Sequence, residues 1–315
     1  FRRVLFIAHR EEILAQANTR SDPTIVLMQH AYGLDPDEQG KDGQGNNYVN
    51  LSRALHDSGL MTLVYVHTVL EHPNRHQRSV LCALAEQSDG LLVTTHSALD
   101  LLASQTYGIE RSRIRHFDHG ICLQDPSQRD RRASKRQYGL EGRLLVSSLG
   151  FHSPDKGLSY SIRAYGRLLD ESSTFEQRQR LVYLVAGCCH PEFVKRDCGR
   201  PYRAYQADLK EAIRDAGLRA CQADSLAEID FDLHDIVFLD AFLNESTLRQ
   251  LYTATDIVVL PYLNMEQICS GILADALGAG RVPISTKFKY ATEVLDPHWL
   301  GQTGVIIGPH ARGIL

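Results

Sequence analysis

Short runs of apolar, largely β-branched residues recur along the chain, separated by longer stretches whose apolar positions return every three or four residues. The runs predict strands at Val4–Ile7, Ile25–Gln29, Thr62–Val66, Gly90–Thr94, Ile114–Phe117, Leu144–Leu149, Leu181–Ala186, Ile236–Leu239, Ile257–Leu260, Val282–Ser285 and Val305–Ile307. The stretches between them predict helices at Arg10–Asn18, Val49–Ser58, Arg75–Gln87, Leu158–Asp170, Tyr202–Ala216, Glu245–Ala254 and Gly271–Gly278. Runs that are apolar at consecutive positions suit strands buried on both faces, as in parallel sheets covered by helices. The fold class read from this pattern is α/β.

One stretch breaks the rhythm. From Gln124 to Glu141 the chain is polar, with Asp125-Pro126-Ser127 followed by Arg129-Asp130-Arg131-Arg132 and no core strand. It divides the sequence into a first α/β domain over 1–123, a linker over 124–141 and a second α/β domain over 142–315. The basic cluster reads as a solvated linker helix, with phosphate or peripheral membrane contact as the alternative. Gly40–Asn47, rich in glycine, aspartate and asparagine, reads as a surface loop.

Composition narrows the classes. With 315 residues, 43% hydrophobic and 23% charged, the chain has the mix of a globular protein of two ordinary domains. A net charge of -4 gives no reason to expect nucleic acid as the main partner. No apolar run approaches the ~20 residues that span a bilayer. The seven cysteines are scattered and odd in number, which predicts no disulfide framework and fits a cytoplasmic protein. Cys188-Cys189-His190 with Cys198 lacks the ligand spacing of a zinc site, so no metal is expected.

Two strand-to-helix loops carry candidate chemistry. Asp256-Ile257-Val258-Val259-Leu260-Pro261 is a buried strand, and after a loop a helix opens at Ser270-Gly271. Small residues there let a ligand reach the backbone, and the free N–H groups of a helix start favour an anion such as a diphosphate. The other loop, Gly150-Phe151-His152-Ser153-Pro154-Asp155-Lys156-Gly157, places Lys156 where it could serve as a point charge for phosphate or simply as an exposed turn lysine. Ligands of open α/β sheets sit beyond the carboxyl ends of the strands, where both loops lie.

Taken in order, these pieces resemble the C-terminal lobe of retaining GT-B glycosyltransferases of the GT4 group. The resemblance runs through Lys156-Gly157, the strand ending in Gly187, Val237-Phe238-Leu239, and Asn244-Glu245-Ser246-Thr247-Leu248. It continues through Ala254-Thr255-Asp256, Gly278-Ala279-Gly280, Val282-Pro283-Ile284-Ser285-Thr286, Ala291-Thr292-Glu293-Val294-Leu295 and Gly304-Val305-Ile306-Ile307. In the first half, Gln29-His30-Ala31-Tyr32-Gly33, His67-Thr68-Val69-Leu70, Ser88-Asp89-Gly90, Tyr107-Gly108 and His119-Gly120-Ile121 resemble the later part of the N-lobe.

The resemblance implies two Rossmann-like lobes and transfer of a hexose, with retention, from a nucleotide sugar to an acceptor hydroxyl. The donor would be GDP- or UDP-linked, and the acceptor a sugar, a lipid-linked sugar or a polysaccharide. No cofactor or metal is implied. His67, Lys156 and Gln267 would be catalytic. Gly150, Phe151, Gly187, Glu266, Ser270, Gly271, Ile272 and Asp275 would bind the donor, and His30, His119 and Gly120 would face the acceptor. Gln267 and Asp275 stand where the family usually has two glutamates, and Phe151 where many relatives have an arginine. The N-lobe's glycine-rich first loop is not recognisable, and the chain stops before the last helices of the C-lobe, so both lobes read as truncated. The departures keep a second reading open, a sugar-nucleotide-binding or scaffold protein without turnover. Arg3–Leu14 also resembles a strand–helix motif of superfamily 2 helicases, but no Walker A lysine loop accompanies it.

Overall fold

The computed structural model describes residues 11–13, 15, 24–32, 46–121, 130–171, 174, 176, 178, 180–226 and 229–295. The predicted strands Val4–Ile7 and Val305–Ile307, most of the Gly40–Asn47 loop, and Gly33 lie outside them. Of the predicted Arg10–Asn18 helix, the described residues Glu11, Glu12, Ile13 and Ala15 are helical. The chain divides into two compact units: Phe1–His119 with Glu266–Cys269, and Gly120–Met265 with Ser270–Leu315.

The first unit contains Ile25–His30 (β1), Asn46–Asp57 (α1), Met61–Val66 (β2), Arg75–Gln87 (α2), Gly90–Val93 (β3), His96–Ala103 (α3) and Ile114–His116 (β4). The strands form one parallel sheet in the order β1-β2-β3-β4. Helix α2 starts where Asn74 and Gln77 make a reciprocal capping box, and it buries Val80, Leu81, Leu84 and Ala85 on one face. The sequence pattern missed α3, which follows β3 after only two residues and is capped by Thr95. The Tyr107 hydroxyl donates to the Leu70 carbonyl at 2.9 Å and accepts from the Leu70 N–H at 3.2 Å. That pair pins the loop that leaves β2 through His67.

The second unit begins its secondary structure with Arg131–Gln137 (α4), Leu144–Leu149 (β5), Leu158–Glu171 (α5), Leu181–Ala186 (β6), Pro191–Lys195 (α6) and Arg200–Asp215 (α7). It continues with Ala220–Ala223 (β7), Ile236–Leu239 (β8), Glu245–Ala254 (α8), Ile257–Leu260 (β9), Gly271–Gly278 (α9), Val282–Ser285 (β10) and Lys289–Leu295 (α10). All six strands pair in parallel, in the order β10-β9-β5-β6-β8-β7. Strand residues alternate between two apolar layers. Leu145, Leu149, Val182, Leu184 and Ala186 join one core, while Val146, Tyr183 and Val185 join the other. On the second face Gly166 lets α5 approach α7, since a Cβ there would stand 2.6 Å from that of Ala216.

Strand β7 was not predicted, because Ala-Cys-Gln-Ala has no β-branched residue to signal it. The reading of the linker as a solvated helix needs correction. Lys135 of α4 is largely buried and bonds the Asp256 carboxylate and the Arg143 carbonyl, Arg131 reaches Asp256 at 3.1 Å, and Leu140 is fully buried. The basic residues sit there to neutralise Asp256, whose other bond is from the Leu145 N–H of β5 at 2.8 Å. The segment fastens to the second sheet.

Candidate functional site

Parallel pairing brings the carboxyl ends of β5, β6, β8 and β9 out along one rim of the second sheet, and the loops that follow them are close-packed there. Gly150 leaves β5 with φ +94°, and Gly187 leaves β6 with φ +141°. A Cβ on Gly187 would lie 1.9 Å from the Gly150 carbonyl oxygen, and one on Gly150 would lie 2.8 Å from the Ile272 side chain. These two positions need glycine for both space and backbone conformation. The result is a backbone-lined floor running from Gly187 through Gly150 to the start of α9.

Helix α9 is capped by Ser270, whose hydroxyl accepts from the Leu273 N–H at 3.3 Å. Ala274 donates to the Ser270 carbonyl at 3.0 Å, which begins the regular helix ladder. The N–H groups of Gly271 and Ile272 therefore have no acceptor within the helix. Asp275 follows Gly271 by four positions and Ile272 by three, so it shares their face of the helix.

Lys156 lies in the 3-10 turn Pro154–Lys156, which is held against the loop after β9. The Leu263 N–H donates to the Asp155 carbonyl at 2.7 Å, and Gly157, with φ +63°, approaches Pro261 so closely that a Cβ would stand 2.0 Å from its carbonyl oxygen. This lacing sets the Lys156 ammonium 3.8 Å from the centre of the Tyr262 ring. Tyr262, buried and stacked on Phe288 at 5.0 Å, is in turn hydrogen-bonded to the Ser270 side chain. One phenol ring thus links the lysine to the helix start. Burial lowers the Lys156 pKa, with the Asp155 charge opposing. Burial also pushes the Tyr262 phenol up to about 12, so it stays neutral and keeps its proton. Sequence reasoning missed Tyr262, although an aromatic residue directly after the strand-ending Pro261 was the available signal.

Phe151 is 48% exposed, with its ring 5.6 Å from His190 and 6.2 Å from Phe242. It shares this aromatic surface with residues following β6 and β8. Among the described residues no group of three or more His, Cys, Asp or Glu side chains could hold a metal ion. No helix there is long and apolar enough to cross a membrane.

The first unit holds the remaining candidates. His67 follows β2, with Nε2 2.7 Å from Gln29 Oε1 and Nδ1 3.4 Å from Cys269 Sγ. Its ring stands edge-on to Tyr65 at 4.8 Å. Burial lowers its pKa, and His119 adds to the effect. Gln267 donates from Nε2 to the Cys269 carbonyl at 2.7 Å, and the Ile268 carbonyl accepts from the buried Thr94 hydroxyl at 2.5 Å. Glu266 is half-buried in the same short segment. His119 is half-buried, and Gly120, the first residue of the other unit, is exposed. His30 is 1% exposed and packed edge-on against Tyr32 and Tyr48, with its pKa lowered to about 4 by burial and then by His67. That is a core position, so the expectation that His30 faces an acceptor is withdrawn.

No protein-family model matches the sequence, and no curated protein matches it. Solved structures do. HepE from Anabaena, in complex with UDP and glucose, superposes with a TM-score of 0.60 at 14% identity, over 94% of this chain and 66% of its own. A UDP-forming α,α-trehalose-phosphate synthase from Burkholderia xenovorans, in complex with glucose-6-phosphate, gives 0.59 at 16%, over 92% and 65%. An E. coli trehalose-6-phosphate structure bound with UDP-2-fluoro glucose gives 0.55 at 13%, over 92% and 64%. This chain therefore spans about two thirds of the length of these proteins. Likeness over more than nine-tenths of the chain shows the fold: it is GT-B, with two Rossmann-like α/β lobes.

Proposed function

We propose that the protein is a retaining glycosyltransferase of the GT4 kind, moving a hexose from a UDP- or GDP-linked donor to a hydroxyl of a sugar, lipid-linked or polysaccharide acceptor. The observation that carries this reading is the joining of Lys156 to the capped start of α9 through Tyr262, beside the floor made by Gly150 and Gly187. A cation, unpaired amides and a floor without side chains meet the needs of a diphosphate. That neighbours with this fold are described in complex with UDP and with UDP-2-fluoro glucose is in keeping with such a ligand.

In the transfer, the bond from the anomeric carbon to the diphosphate breaks as the acceptor oxygen bonds the same face of that carbon. The acceptor proton passes to the leaving phosphate. The negative charge that grows on the diphosphate is the charge Lys156 and the Gly271 and Ile272 amides would stabilise, so the step asks for no divalent metal. In this proposal Asp275 takes a ribose hydroxyl, Gln267 a sugar hydroxyl, and His67 stands at the transferred sugar. His119 and Gly120 belong to the acceptor side.

Thermal-shift titration with UDP-glucose, UDP-galactose, GDP-mannose and GDP-glucose tests donor binding. A ligand at ~100 times its dissociation constant adds about 2.7 kcal/mol, which for lobes of this size raises the melting temperature by roughly 5–10 °C. No shift with any nucleotide sugar sinks the proposal. A second reading, donor binding without turnover, draws on Gln267, which has no charge and spends one amide hydrogen on its own loop at Cys269. Binding with no release of nucleoside diphosphate across sugar and lipid-linked acceptors would favour it.

A further inference from the structure

Behind the rim, between α7 and the β7–β8 edge of the second sheet, lies a cavity of about 250 Å³ that the donor proposal does not use. We propose that it binds a neutral polyhydroxyl molecule of monosaccharide size, held by His152 and Tyr205. The inference concerns the second unit only and does not depend on the donor reading.

Both residues line the cavity, and each turns a polar atom into it that water does not reach. His152 Nε2 and the Tyr205 hydroxyl are buried and have no hydrogen-bond partner among the described residues. Buried polar atoms of this kind are rare in folded proteins and mark places where a ligand or water completes the bonding. Their chemistry is complementary. Burial holds the His152 pKa down at about 4, against the pull of a hydrogen bond to the Ala186 carbonyl. The ring is therefore neutral at pH 7, and with one nitrogen donating to Ala186, Nε2 is an acceptor. The Tyr205 phenol keeps its proton, because burial raises its pKa, and it offers a donor. An acceptor beside a donor is the pattern that a hydroxyl group satisfies at both ends.

The rest of the lining sets the size and charge. Val185 and Phe238 give an apolar wall suited to the C–H face of a sugar ring. At the mouth, Lys210 and Asp240 carry opposite charges, so neither sign of ligand is favoured. The volume lies below the ~300–1,000 Å³ of pockets for larger ligands. Nothing in the local sequence signals the cavity, since His152 looks like one more loop residue between Gly150 and Lys156.

The test is NMR on the full chain labelled with 15N-histidine, titrated separately with D-glucose, D-mannose, D-galactose and glycerol. At least one sugar should move the His152 ring resonances and saturate. His152→Leu and Tyr205→Phe should each weaken that sugar about ten-fold, the loss expected for one buried hydrogen bond. Lys156→Ala should leave sugar binding unchanged while abolishing any nucleotide-sugar shift, which separates this cavity from the donor site. If no probe moves the His152 resonances, the two polar atoms bond only to ordered water and the proposal falls. It falls equally if both cavity variants bind the sugar like the parent, or if Lys156→Ala removes sugar binding. The labelled parent protein gives the first readout without any variant, so a misfolded variant does not stall the test.

Discussion

Gly187→Ala isolates the floor of the rim. The substitution asks an alanine to take φ +141°, a region almost reserved for glycine, and sets its Cβ 1.9 Å from the Gly150 carbonyl oxygen. The conformational cost is ~1–3 kcal/mol. The clash is with backbone that cannot rotate away, adding another ~1–3 kcal/mol of overpacking. Together these give about 2–6 kcal/mol, or a fall of roughly 5–20 °C in melting temperature for a domain of this size. Gly217→Ala is the matched control. It has φ +60° and nothing within 4 Å of where a Cβ would stand, so it carries the conformational term alone, about 1 kcal/mol. Circular-dichroism melts of both variants separate the two terms. Because Gly150 in turn presses on Ile272, the same change should push the loop against the helix start and abolish nucleotide-sugar protection. If Gly187→Ala melts like Gly217→Ala and still binds, the packing argument for this floor is wrong.

Other outcomes follow from the same geometry. Lys156→Ala should weaken nucleotide-sugar binding by about 1.5–3 kcal/mol, or roughly 10- to 150-fold by calorimetry, with little change in melting temperature. Ser270→Ala removes the α9 cap and should cost about 1 kcal/mol of stability in urea denaturation. Stability should also fall in mild acid. The buried His30 and His152 have folded pKa values of about 4 against 6.5 unfolded, so between those values the unfolded chain binds more protons. Their neutral burial is harmless above pH 6.5 and costs progressively more down to pH 4, up to about 3 kcal/mol each. His152→Leu should flatten that slope in pH-dependent melts, and an unchanged slope would refute the assignment. Arg219→Ala leaves the 8%-exposed Asp235 carboxylate without its two-pronged partner, at 2.8 and 3.0 Å, and should cost about 2 kcal/mol near neutrality. Since Asp235 has a depressed pKa in the fold, that pair contributes above the unfolded carboxylate value and is lost as pH falls through the folded one.

Legibility in the sequence followed burial. The strands β5, β6, β8, β9 and β10 of the second sheet have the bounds their apolar runs predict, because both faces are packed and each residue in the run is constrained. Strand β7 escaped because at the sheet edge its half-exposed Ala-Cys-Gln-Ala needs no such run. Lys135 and Arg131 looked solvated because charge patterning does not show that Asp256, far along the chain, waits for them. The same limit applied to the rim. Gly150, Gly187, Lys156 and Ser270 were readable as local turn and cap signals. The ring that joins two of them, Tyr262, was not, since its role arises only when the loops after β5 and β9 are laced together. His30 shows the reverse error: a histidine at a strand end looked functional and is core.

The strand order has a consequence for how the protein is made. Strand β5 can pair with β6 soon after both leave the ribosome, but its other edge is completed by β9, through Val146 with Ile257. At ~5–20 residues per second, the ribosome needs roughly 5–20 s to deliver that partner. For that interval the middle strand of the sheet offers bare amides and carbonyls beside an apolar surface. A nascent chain in that state is a natural client for chaperones, and slowing translation between Ala186 and Asp256 should raise its aggregation more than slowing it anywhere after Ser285.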